Sequence, residues 1–117
     1  MNYELVYILT PKLSEDDAKK KAAAISQVVT KEVGKVALEA FWGKRELTYP
    51  IRKFQEGYYV VAQFSTEAEK ISQVEKRLRF DEDIIRFLVI KKDHLAKNQA
   101  ELLAPSEATA EKVTPVS

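Results

Sequence analysis

The sequence predicts an α+β domain of four strands and two helices, and three observations predict it. Short runs rich in β-branched and aromatic residues recur four times before residue 92. Apolar residues at helical spacing fill the gap after the first run and the gap before the last. The second and third runs are separated only by a loop, as in a hairpin. With 117 residues the chain has room for one domain with a modest core.

Residues 3–9, YELVYIL, put Leu5, Tyr7 and Leu9 on one face and Val6 and Ile8 on the other, which fits a central strand. Thr10 and Pro11 end it. Ser14 followed by Glu15, Asp16 and Asp17 supplies an N-cap with acids in the first turn, where the helix dipole favours them. Ala18, Ala22, Ile25 and Val29 then mark one face of a helix that runs to about Val33 and is closed by Gly34. A second strand begins near Lys35 with Val36, Leu38, Ala40 and Trp42 on one face. Leu47, Tyr49 and Ile51 have the opposite parity, so a β-bulge at Gly43 is expected to restore the register. After a loop over 53–57, residues 58–64, YYVVAQF, form a third strand. Thr66 and Glu69 match a capping box, and Ile71, Val74 and Leu78 mark a second helix to about Arg79. Residues 84–90, IIRFLVI, read as the fourth strand, ending at Lys91 and Lys92.

The resulting order, β-α-β-β-α-β, is the ferredoxin-like split β-α-β arrangement. Right-handed crossovers place strands one and three in the middle of a four-stranded antiparallel sheet, strands two and four at its edges, and both helices on one face. Residues 1–92 are assigned to this domain. Residues 93–117, ending in PSEATAEKVTPVS, read as a disordered C-terminal tail with a short helical stretch over 95–103.

The 19 Lys and Arg against 18 Asp and Glu conceal an asymmetry: Lys97 and Lys112 face Asp93, Glu101, Glu107 and Glu111 in the tail, so the tail carries −2 and the body +3. A mildly basic body is compatible with a nucleic-acid partner. The absence of cysteine excludes a disulfide framework and a thiolate metal site. Neither a basic leader nor an apolar run of the ~20 residues that cross a bilayer is legible, so a cytoplasmic protein without membrane contact is expected.

Strand two is the informative element. A proline is tolerated at the margin of a sheet, so Pro50 assigns this strand to an edge. Lys44, Arg45 and Glu46 then have two readings: charges that prevent indiscriminate strand pairing, or, with Phe41 and Trp42 beside them, anchors for a protein partner. One of the two aromatics must point away from the helix-covered face.

The segment Gly43-Lys44-Arg45-Glu46-Leu47-Thr48-Tyr49-Pro50-Ile51, followed by Lys53 and Gly57-Tyr58-Tyr59, resembles the signature of the sixth protein of the bacterial small ribosomal subunit. The strand opening at Tyr3-Glu4, the turn over 79–84 and the closing Arg86-Phe87-Leu88-Val89-Ile90-Lys91 are also similar, so the resemblance covers residues 1 to about 92. Two positions depart from the family pattern: Thr48 stands where Ala or Ser is more frequent, and Asn2 where a basic residue is frequent. The resemblance implies a structural constituent of the small ribosomal subunit, not an enzyme, that binds small-subunit ribosomal RNA in platform assembly together with the eighteenth small-subunit protein. Recognition of such RNA rests mainly on shape, phosphates and 2′-hydroxyls.

For RNA the expected surface is the end of the sheet where strand one begins and strand four ends, with Tyr3, Lys91 and Lys92, and with Arg86 on the open side of strand four. Arg77 and Arg79 rank behind them, because cations at a helix C-terminus complement its dipole. For the protein partner the candidates are Phe41, Trp42, Lys44 and Arg45. No catalytic residue, metal, cofactor or small-molecule substrate is expected. His94 is the lone histidine, Glu15, Asp16 and Asp17 lack a second cluster to complete a metal sphere, and three glycines cannot build a phosphate loop. The rival readings are a small ferredoxin-like enzyme of the acylphosphatase or dimeric-barrel oxygenase type, and a ligand-sensing regulatory homodimer, since the fold hosts both.

Overall fold

The computed structural model describes residues 1–51 and 53–95, with side chains described for 1–47 and 53–95. Its elements are β1 (Asn2–Leu9), α1 (Glu15–Val33), β2 (Leu38–Ile51), β3 (Phe54–Ser65), α2 (Ala68–Arg79) and β4 (Ile84–Lys92). They form one antiparallel sheet of order β2-β3-β1-β4. The expected ferredoxin-like topology is therefore present, with β2 and β4 at the edges. The expected tail lies almost wholly outside the described residues.

The sheet is apolar on both sides. On one side Tyr3, Leu5, Tyr7, Leu9, Tyr58, Val60 and Phe64 pack against Ala18, Ala22, Ile25 and Val29 of α1 and Val74 and Leu78 of α2. On the other, Val6, Ile8, Ala40, Leu47, Tyr59, Val61 and Ile85, all from strands, form a second cluster among the described residues. Alternation along each strand produces this division, and burial of these side chains at roughly 1.5–3 kcal/mol apiece is the main force holding the sheet.

Helix α1 follows its sequence signals. Ser14 Oγ accepts from the Asp17 backbone N–H at 3.1 Å, and Gly34, at φ 95°, donates its N–H to Thr30 O. Helix α2 departs from them. Its N-cap is Glu67, with no side-chain capping bond, and the Thr66–Glu69 box does not form. Thr66 is still engaged in the sheet end: its N–H donates to Met1 O at 2.9 Å and its carbonyl accepts from the Met1 ammonium at 3.1 Å. That pairing holds the residue extended and moves the helix start one position on.

The hairpin is also longer than its sequence signals suggest. β3 begins at Phe54, which pairs with Ile51, and Lys53 takes a positive φ of 71° in the turn. Gly57, expected in the loop, is inside the strand opposite Arg45. The expected bulge is present: the β2–β3 register slips between Phe41 and Gly43, and Gly43 has φ 88°. β2 starts at Leu38, three residues after Lys35, with Ala37 N–H donating to Gln63 O just outside it.

Candidate partner edge and nucleic-acid interface

The bulge at Gly43 decides where the side chains of β2 point. Phe41 belongs to the helix side, where its ring stacks on Tyr58 with centroids 5.9 Å apart. Trp42 faces the opposite side and lies nearly parallel to Tyr59, at 5.9 Å and 10°. Trp42 is therefore the aromatic that points away from the helices. Beyond the bulge, Arg45 rather than Lys44 shares its face, with Cζ 5.7 Å from the indole. Lys44 sits on the helix side, Nζ 5.3 Å from the Tyr58 ring and 3.8 Å from Glu56 Oε1. Lys19 of α1 adds a third cation 5.9 Å from Phe41.

These three exposed cations, Lys19, Lys44 and Arg45, are thus held over aromatic faces, an arrangement worth about 0.5–1 kcal/mol at an exposed site. Burial pushes the Tyr59 phenol above its ordinary value, with the Arg45 charge acting in the opposite sense. Lys19 escapes the sequence reading, because no spacing in the chain brings residue 19 next to residue 41.

At the far edge, β4 pairs with β1 through Arg86–Ile8, Tyr3–Lys91 and Asn2–Lys92. Ile8 lies on the open face, so Arg86 and Lys92 do as well, while Lys91 shares the helix side with Tyr3. Arg86 and Lys91, five residues apart on β4, thus lie on opposite faces. Arg86 is half-buried, and among the described residues its Nε is buried without a hydrogen-bond partner. Ile85 is the extra residue where the register slips between Ile8 and Leu9. Arg86 and the exposed Arg79 line a common cleft of about 220 Å³ with Leu78, Ile84, Ile85 and Phe87.

Two expected residues are placed differently from an exposed contact. Tyr3 is 7% exposed, packs beside Phe64 and donates its hydroxyl to Met1 Sδ at 3.4 Å, so its ring has no free face for a base. It fixes the strand opposite Lys91 instead. Arg77 donates Nε to Glu32 Oε1 and ties α2 to α1. Among the described residues no three of His, Cys, Asp and Glu converge as a metal site. His94 and the first-turn acids of α1 are exposed.

Comparison with known proteins gives a consistent result. The family model described as Ribosomal protein S6 matches residues 2–91. The small ribosomal subunit protein bS6 of Campylobacter hominis is 39% identical over 90 residues, covering 77% of this chain and 62% of that protein. The bS6 of Aquifex aeolicus is 37% identical over 99 residues, covering 82% and 90%. The match therefore spans about six tenths of the Campylobacter relative and nine tenths of the Aquifex one. Among solved structures, the crystal structure of 30S ribosomal protein S6 from Thermotoga maritima is similar, with TM-score 0.73 and 25% identity over 78% of this chain and 86% of that one.

Proposed function

The chain belongs to the ribosomal protein S6 family of the small ribosomal subunit, and from that membership we propose that it binds small-subunit ribosomal RNA jointly with the eighteenth small-subunit protein during platform assembly. The family is named for a ribosomal component, not for a reaction, and on this reading the chain works as part of ribosomes in the cytoplasm. The supporting observation is the division of labour between the two edges of one sheet. The β2 edge carries Trp42, Arg45, Phe41 and Lys44 as ordered aromatic–cation pairs, the chemistry of a protein anchor. The β4 edge carries Arg86, Lys91 and Lys92, with Arg79 at the end of α2 lining the same cleft as Arg86, and the Arg86 Nε, unpartnered among the described residues, suits a phosphate oxygen.

Two modest surfaces on one rigid sheet bind more tightly together than either does alone, because engagement of one raises the effective concentration of the other. The partner supplies the further positive charge that a body of only moderate basicity requires. Sedimentation of the tagged protein from cell lysate tests the reading. It is expected to migrate with small ribosomal subunits, and recovery in light fractions alone overturns it.

A further inference from the structure

The turn between α2 and β4 holds an aromatic ring out in water. Phe80 is 77% exposed, the most exposed large apolar side chain among the described residues, although ending a helix requires no aromatic. The backbone beneath it is fixed. Asp81 N–H donates to Leu78 O at 3.1 Å, Ile84 N–H to Asp81 O at 3.2 Å and Asp83 N–H to Asp81 Oδ1 at 3.0 Å, while Lys21 of α1 bridges Asp81 and Asp83. A ring on such a frame is pre-organised, so presenting it to a partner costs little ordering entropy.

The surroundings of the ring are charged. Phe80 lines a hollow of about 440 Å³ with Lys21, Arg77, Asp81, Glu82 and Asp83, and its chain neighbour Arg79 lines the cleft that holds Arg86. We propose that Phe80 is a stacking platform for an unpaired base of the bound RNA, with Arg79 on the phosphate beside it; this rests on the RNA reading above and names the feature of the RNA that the site takes. An apolar side chain of a protein partner would cover the ring and strip water from five charged groups while offering them nothing. A base covers the ring with its π-face and brings donors and acceptors on its edge to the same groups. Removing an aromatic that stacks on a base costs roughly 5- to 150-fold in affinity.

The balance of charge points the same way. Lys21 is taken up by Asp81 and Asp83, and Arg77 by Glu32. Arg79 is exposed and makes no ion pair among the described residues, which leaves it for a phosphate. The three acids that follow Phe80 repel a phosphate, so the RNA backbone is directed to Arg79 and Arg86 and the base to the ring.

Filter binding of the full chain, paired with the eighteenth protein, to a junction RNA and to a fully paired RNA duplex tests this. Phe80→Leu is expected to weaken junction binding about tenfold and to leave duplex binding unchanged. The slope of log affinity against log salt should keep its wild-type value, because no charge is removed. Phe80→Trp, which keeps a π-face, should retain wild-type affinity, and both variants should melt with the wild type because the ring is exposed. Wild-type junction affinity in Phe80→Leu overturns the stacking and leaves the RNA reading standing, whereas failure of the wild-type pair to hold the junction RNA removes both. Equal losses on junction and duplex also overturn it. Weaker binding of the eighteenth protein to Phe80→Leu in isothermal titration without RNA would assign the ring to that protein instead.

Discussion

Arg86 interrupts an apolar strand, and its Nε is buried without an acceptor among the described residues. An orphaned buried donor costs about 1–3 kcal/mol, which an outside acceptor such as a phosphate oxygen removes. If the guanidinium neutralises about one phosphate, Arg86→Ala should flatten the slope of log affinity against log salt by somewhat under one unit without changing sequence preference. Filter binding of the paired proteins to a junction RNA over a range of salt reads this slope, and one equal to wild type would confine Arg86 to a packing role. Gly57 carries an independent prediction. A Cβ there would lie 2.4 Å from Ile8 Cγ2 and 3.0 Å from Leu9 O, and Ile8 is a buried β-branched side chain that cannot swing away. Gly57→Ala should cost about 1–3 kcal/mol by overpacking, measured as a lower denaturant midpoint with unchanged slope. This position also shows a limit of reading sequence. Glycine signals a turn, and nothing local reveals that its real task is to let two strands and Ile85 close up.

Among the elements, β2 was the most legible, because a parity change between Trp42 and Leu47 can be accommodated only by an extra residue, and Gly43 tolerates the φ of 88° found there. Proline at position 50 likewise marked the edge. The α2 start was misread because a capping motif is local, whereas the extended state of Thr66 is imposed by Met1, 65 residues away in the chain. The hairpin tip was misplaced for a similar reason: Lys53 at positive φ permits a tight turn that its residue type does not advertise. The candidate partner residues were legible by type but not by orientation, which depends on the bulge. Lys44→Ala with Arg45→Ala should weaken binding of the eighteenth protein in isothermal titration. Stability should change by no more than about 2 kcal/mol, since the side chains are exposed and each of their two aromatic contacts is worth about 0.5–1 kcal/mol. Unchanged affinity would leave the two cations as protection of the sheet edge.

At the scale of the whole molecule, alkaline pH should loosen the joint between helix layer and sheet. Lys21 of α1 bridges Asp81 at 2.8 Å and Asp83 at 3.4 Å in the turn between α2 and β4. The hydrogen bond to Asp81 is the main cause raising its pKa above the ordinary 10.5, against an opposing effect of burial. Tyr7, fully enclosed between sheet and helices, is also raised above the ordinary 10.0, chiefly by burial and further by the charges of Glu39 and Asp81. Tyr59 on the opposite face is raised by burial as well. In each case the folded state holds a proton that the unfolded chain releases first. Their contribution is therefore complete below the unfolded pKa values near 10 and is lost as pH rises toward the higher folded values, at up to about 1.4 kcal/mol per pH unit for each group. Melting temperature should stay level from neutral pH to about pH 9 and fall above about pH 10. Lys21→Met, which keeps the stem and removes the charge, should leave a shallower fall because one of the three linked protons is gone. A decline that begins well below pH 9, or one that Lys21→Met leaves equally steep, would place the controlling group elsewhere.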